Sequence, residues 1–221
     1  MGWYSVYAKG QHGYPQPEDE YLSRTYANAC LRCGVHDQQV ASFHVRKPNL
    51  APHSHFAQLN WCFDTFFVST EVADAAREEG IRGVRFMPVL EHRSGNELTG
   101  RVQLGVEVVV ACAETTRLPL ITCRPNNEES KWSLPGEKRY LPSTPFCGSV
   151  KHHPPTTPVI DPAAVPVGVD IFQTDEWFGS GGSAFRLTIC SERFTEFVAR
   201  HQFRGLSFNS VRTWGYSRRD A

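Results

Sequence analysis

The sequence predicts an α+β fold in which a few short helices pack on mixed or antiparallel sheets, and three observations carry that expectation. A strand-helix-strand unit occurs twice. A β-branched run lies between the two copies, and a long proline-rich connector follows it, leaving little room for further helix. The two copies emerge when the sequence is slid on itself by 122 residues. The first runs from Phe67-Val68-Ser69-Thr70-Glu71-Val72 through Ile81-Arg82-Gly83-Val84-Arg85-Phe86. The second runs from Ile189-Cys190-Ser191-Glu192-Arg193-Phe194 through Phe203-Arg204-Gly205-Leu206-Ser207-Phe208. They occupy about 66–89 and 188–211 of one domain spanning residues 1–221. Two copies do not make a solenoid.

Within each unit the order is apolar strand, serine, short amphipathic helix, then an Arg-Gly-apolar-x-Phe strand. Ser69 and Ser191 are placed to accept a hydrogen bond from the otherwise unpaired amides of the helix that follows. Val72, Ala75 and Ala76 form one stripe of the first helix, and Phe194, Phe197 and Val198 the same stripe of the second, so each helix is expected to pack on a sheet. Gly83 and Gly205 fall where the chain leaves the helix, a position that often needs a positive φ or a close backbone approach. Between the units, the run from Leu104 to Cys112 has the β-branched content of a strand. The connector from Leu118 to Pro166 is expected to be irregular. Its prolines, including Pro125, Pro135, Pro142, Pro145, Pro154, Pro155 and Pro158, remove amide donors, and a loop of that length is usually functional or pinned.

Composition narrows the function classes. Lys plus Arg and Asp plus Glu both count 23, so no global field attracts nucleic acid, and a phosphate-tracking surface would have to be local. The first twenty residues lack the basic and continuous apolar segments of a signal peptide, and no run reaches the length of a membrane span. The expected location is the cytoplasm. Seven cysteines, Cys30, Cys33, Cys62, Cys112, Cys123, Cys147 and Cys190, form an odd set unlike a secreted disulfide framework. In a reducing compartment, Cys30-Leu31-Arg32-Cys33-Gly34 reads as half a metal site rather than a bridge. A thioredoxin-type redox pair would need a strand-then-helix context that the flanking sequence lacks.

Cys30-x-x-Cys33-Gly34, the later Phe146-Cys147-Gly148, the run Pro166-Val167-Gly168-Val169-Asp170-Ile171-Phe172 and Ser191-Glu192-Arg193-Phe194 together resemble the double-CxxCG-motif family of bacterial polymorphic-toxin immunity proteins. The similarity runs in order along nearly the whole chain and is closest in its C-terminal portion. It implies a non-enzymatic protein that binds and blocks a cognate toxin, commonly a nuclease of the restriction-endonuclease type. The second motif departs from the family pattern, reading Thr144-Pro145-Phe146-Cys147-Gly148, so one sulfur ligand is missing. A closed structural zinc site needs four donors. Cys30, Cys33 and Cys147 therefore leave a vacancy for Cys123, His152 or His153, and the set with His152 is the expected site. The other reading is reduced cysteines in a loop held by packing alone.

A second departure is the stretch from Asp170 to Ser183, which is longer than the family segment and has the makeup of an exposed loop. Asp170, Asp175 and Glu176 beside Trp177 and Phe178 supply the charge and aromatic anchors with which an inhibitor engages a nuclease's basic cleft. Alternatively, Trp177 and Phe178 are core residues at a strand end. As motifs by themselves, His53-x-His55 and His152-His153 read as solvated polar loops rather than metal sites. No Gly-x-Ser-x-Gly elbow, phosphate-binding Gly-Lys-Ser/Thr loop or His-Glu-x-x-His helix occurs. The basic end from Arg212 to Arg219, with Trp214 and Tyr216, reads as a solvated tail. Three function classes stand: a toxin-neutralising binder, a zinc-ribbon-like nucleic-acid adaptor, and an enzyme whose site is dispersed in sequence.

Overall fold

The computed structural model describes residues 2–46, 54–124 and 145–214. His53, Pro125, Pro135, Pro142, Thr144, Tyr216 and Arg219 lie outside them. The described residues build two large sheets, a two-stranded one and three short helices. The first sheet contains β2 (Pro15–Gln16), β3 (His44–Val45), β4 (Phe56–Ala57), β5 (Phe66–Ser69), β6 (Val84–Glu91) and β7 (Glu97–Val106), in the order β2-β3-β6-β7-β5-β4. The second contains β1 (Trp3–Ala8), β9 (Leu120–Thr122), β10 (Val150–His152), β12 (Ile171–Phe178), β13 (Phe185–Ser191) and β14 (Leu206–Ser210), in the order β14-β1-β13-β12-β10-β9, with β8 (Val109–Val110) also pairing with β12. A small parallel pair joins β11 (Val159–Ile160) to β15 (Arg212–Thr213). The helices are α1 (Tyr21–Thr25), α2 (Thr70–Glu78) and α3 (Glu192–Arg200). None is long and apolar enough to cross a membrane.

The repeated unit is a structural repeat. β5-α2-β6 and β13-α3-β14 share the expected layout, and Ser69 and Ser191 cap their helices by accepting from the amides of Val72 and Phe194, each at 3.4 Å. The likeness goes further than the two copies seen in sequence. The strands β4-β5-β7-β6 of one sheet and β12-β13-β1-β14 of the other stand in the same order, every neighbouring pair antiparallel. Their registers coincide: Ser69 faces Arg101 and Val84 faces Val106, while Ser191 faces Trp3 and Leu206 faces Ala8. In the first unit the middle strand, β7, follows the unit in sequence. In the second that place is taken by β1, from the other end of the chain.

The two units are fastened to each other by a reciprocal set of contacts. The amides of Asp170 and Ile171 donate to the Arg82 carbonyl, as those of His55 and Phe56 donate to the Arg204 carbonyl. In return the Asp170 carboxylate accepts from the Arg82 amide, and His55 Nδ1 accepts from the Arg204 amide, both at 2.9 Å. Gly83 (φ +95°) and Gly205 (φ +111°) lie against the carbonyls of Ile171 and Phe56, where no Cβ would fit. At one side of the junction Glu79 meets its own counterpart, His201, at 2.6 Å. At another, Phe63 and Phe185 pack with ring centroids 5.5 Å apart, and the Asp64 carboxylate accepts from the Arg186 amide. These relations describe an approximate two-fold axis between the units.

The largest apolar core follows the same symmetry, pairing Val68 with Cys190, Val72 with Phe194, Ala76 with Val198, Ile81 with Phe203 and Phe56 with Ile171. The helices contribute unequally. α2 brings valine and alanines where α3 brings Phe194 and Phe197, both fully buried. Burial of each phenylalanine contributes about 1.5–3 kcal/mol, so α3 supplies most of the apolar bulk where the helices meet.

The connector is less irregular than its prolines suggest. β9, β10, β11 and a 3-10 turn at Pro162–Ala164 all fall within 118–166, and β10 sits inside the second sheet between β12 and β9. The reason is placement. Val150-Lys151-His152 carries no proline, and Pro154, Pro155 and Pro158 follow after the paired residues.

Candidate metal centre and the adjoining groove

Two tight turns, remote in sequence, bring four sulfurs together. After α1 the chain closes on itself through Gly34 N to the Cys30 carbonyl and Cys30 N to the Val35 carbonyl, both 2.8 Å. The amides of Arg32 and Cys33 then donate to Cys30 Sγ, and that of Val35 to Cys33 Sγ. The second turn closes the β9 and β10 pair: Cys123 N donates to the Ser149 carbonyl at 2.9 Å and Gly148 N to the Cys123 carbonyl at 3.2 Å. There the amide of Cys147 donates to Cys123 Sγ and that of Ser149 to Cys147 Sγ. Cys33 and Cys147 sulfurs lie 3.6 Å apart, Cys30 and Cys123 sulfurs 4.0 Å apart, and all four within 4.8 Å of one another.

That geometry fits a closed metal site. Zinc at about 2.3 Å from four tetrahedral sulfurs sets them about 3.8 Å apart, far beyond a disulfide length. Amide-to-sulfur hydrogen bonds stabilise the thiolates such a site requires. In the protein itself the Cys33 thiol donates to Cys30 and draws its pKa down to about 4, whereas the same bond and burial push Cys33 up. Three of the cysteines are buried and Cys147 is exposed.

The fourth member is thus Cys123 and not His152. The sequence offered Cys123, His152 and His153 as alternatives, and the pairing of Thr122 with Val150 decides among them by carrying Cys123 alongside Cys147. His152 packs against Phe178, and its buried Nδ1 has no hydrogen-bond partner among the described residues. Burial holds its pKa below the ordinary value.

A buried ammonium supports the first turn. Lys151, 2% exposed, donates through Nζ to the carbonyls of Cys33 at 3.0 Å, Gly181 at 2.6 Å and Ser183 at 2.9 Å. Gly34 (φ +80°) lies against the backbone of Gly182 and Ala184, so close that a Cβ would sit 2.6 Å from the Gly182 carbonyl. The glycine-rich Gly179 to Ser183 turn is therefore a socket for the Cys33-Gly34 backbone.

The expected exposed loop from Asp170 to Ser183 is instead mostly β12, a strand flanked by β13 on one side and by β8 and β10 on the other. Phe178 is fully buried, which fits the core alternative rather than a surface anchor. Asp170 is also buried, accepting from Ser191 Oγ and the Arg82 amide and pairing with Arg193. A register shift against β13 between Gln173 and Trp177 lifts the intervening residues, leaving Asp175 exposed and Glu176 half-buried. Trp177 is half-buried, its ring between the His36 imidazole and the Arg186 guanidinium, at 4.8 and 4.6 Å.

Trp177 belongs to a groove of about 740 Å³ that the sequence did not announce. The groove opens where β5 and β7 part company, beside the Asp64 and Arg186 pair at the approximate axis. His36 connects it to the cysteines: its Nδ1 donates to the Gly34 carbonyl at 2.8 Å, one residue past Cys33. Burial lowers the His36 pKa and raises that of Asp64, each against the charged form of the group, and the charge of each opposes the shift of the other. Arg85, from β6, reaches across Gly105 of β7 into the same groove. No pattern of spacing links residues 36, 64, 85, 177 and 186; only the repeat, which makes 64 and 186 equivalent positions, carried a hint of them. No family model matches the chain, and no curated protein matches it.

Proposed function

We propose that this chain is a non-enzymatic immunity protein that binds a cognate bacterial toxin, of nuclease type, and neutralises it by occlusion in the cytoplasm, with a structural zinc ion on Cys30, Cys33, Cys123 and Cys147. The observation that carries the reading is the convergence of the two cysteine motifs, from positions 114 residues apart, on one four-sulfur set. A double-CxxCG resemblance implies such convergence, and Cys123 makes good the sulfur missing from the second motif. Four thiolates fill a tetrahedral ion and leave no open position for substrate or water, which supports a scaffolding role over metal catalysis. The equal counts of basic and acidic residues weigh against the nucleic-acid adaptor.

Occlusion of a toxin typically buries about 1,600 Å². The test is co-expression with the toxin encoded beside it, scoring survival and recovery of a stable complex. Rescue with co-purification is expected; a folded protein that gives neither overturns the reading.

A further inference from the structure

Two arginines that line the groove carry side-chain donors with no partner among the described residues. Arg186 commits one terminal nitrogen to Asp175, but its Nε is buried with no hydrogen-bond partner among the described residues. Leaving such a charged donor unpaired in a partly dry site is costly, and an acceptor from outside removes the cost. The Arg85 side chain makes no hydrogen bond or ion pair with any described residue, and Gly105, by lacking a side chain, lets its stem lie across β7 towards the groove. The groove's acids are mostly engaged. Asp64 receives the Arg186 amide, and burial favours its neutral form. Asp37 receives the Asn28 side-chain amide at 2.7 Å. Glu107 is exposed.

We propose that this groove binds a carboxylate-bearing peptide segment of a protein partner, with Arg186 and Arg85 as the groups that receive its carboxylates. An Arg fork matches a carboxylate in two parallel hydrogen bonds, and the volume lies in the range that holds a short peptide stretch or a drug-sized molecule. The mixture of charges around the rim opposes a continuous polyanion such as nucleic acid, whose every phosphate would need a cation. The proposal rests on the protein-binding role above only for who the partner is. Arg186 lies over the Trp177 ring, and His36 meets that ring edge-on, which holds the guanidinium in place before a ligand arrives and lowers the ordering cost of binding.

The experiment uses the full chain and a fluorescein-labelled hexapeptide alternating glutamate and glycine, with glutamine-for-glutamate and lysine-for-glutamate peptides as controls. Fluorescence anisotropy at low salt is expected to show binding of the acidic peptide alone. Arg186→Gln and Arg85→Gln should each weaken it by roughly tenfold, the strength of a charge-assisted pair. Both variants should fold, because Asp64 uses the Arg186 amide rather than its side chain, and Arg85 is exposed; unchanged thermal melting checks this. Equal binding of the glutamine peptide, no binding of the acidic one, or affinities unmoved in both variants overturns the proposal. Toxin rescue by the wild type and by both variants, without acidic-peptide binding, would discard the groove and keep the immunity role. Peptide binding without rescue would do the reverse.

Discussion

Alanine at Gly83 or Gly205 should destabilise the protein far more than alanine at a neighbouring glycine of similar backbone sign, and the difference can be worked out from the two-fold junction. Gly80 has φ +62° and open space where a Cβ would go. Gly80→Ala should therefore cost only the left-handed backbone penalty, about 1 kcal/mol. At Gly83 the added Cβ would lie 2.0 Å from the Ile171 carbonyl oxygen, and at Gly205 2.2 Å from that of Phe56. Both distances are more than an ångström inside contact, and the obstacle is backbone, so the opposite strand must move away. That movement breaks the amide bonds from Asp170 and Ile171 to Arg82, or those from His55 and Phe56 to Arg204. Two hydrogen bonds at about 1 kcal/mol each, added to a backbone penalty of about 1–2 kcal/mol, give a loss of about 3–4 kcal/mol at either site. Urea unfolding of the three variants, compared at equal m-value, measures it. If Gly83→Ala and Gly205→Ala lose no more than Gly80→Ala, the reciprocal fastening is not what holds the two units together.

Metal analysis of the purified chain should find one zinc per molecule, lost in Cys123→Ser and kept in His152→Ala, and a chelator should lower the melting temperature of the wild type but not of Cys123→Ser. Asp170→Ala strips partners from the Arg82 amide, Ser191 and Arg193 in a buried setting, and should cost about 3 kcal/mol in urea unfolding, against about 1 kcal/mol for its exposed-side counterpart His55→Ala. Because burial lowers the His36 pKa, the unfolded chain binds that proton more readily than the folded one. Stability should fall as pH drops from the ordinary histidine value of 6.5 through the lower folded value, and His36→Gln should flatten that part of the curve in pH-dependent denaturation.

How much of this was written in the sequence depends on whether the information is local. The serine caps, the helical stripes and the two corner glycines are local in kind, set by periodicity and by backbone sterics, and the strand-helix-strand units follow from them. The middle strand of the second unit was not legible, because β1 reads as one aromatic run among others until its partners two hundred positions away are known. The segment after Asp170 misled for a related reason. Its charges and glycines have the composition of a loop, yet β12 is buried by its neighbours in the sheet, and the bulge that exposes Asp175 is invisible without the β13 register. Cys123 was undecided among the possible fourth ligands until the β9 and β10 pairing placed it. The groove residues come from three strands and two loops, and nothing in their spacing assembles them.

The position of β1 also bears on how the molecule is made. Trp3 to Ala8 leave the ribosome well before the strands they pair with, β13 and β14, and Tyr7 meets Ser207 across 200 residues of chain. At about 5–20 residues per second, those residues wait on the order of 10–40 s for either neighbour. During synthesis the first unit, with its middle strand close behind it, can close on its own, while the second holds an unpaired apolar strand in reserve. A nascent chain in that state is the form most exposed to wrong pairing, and any slowing of translation in the connector lengthens its exposure.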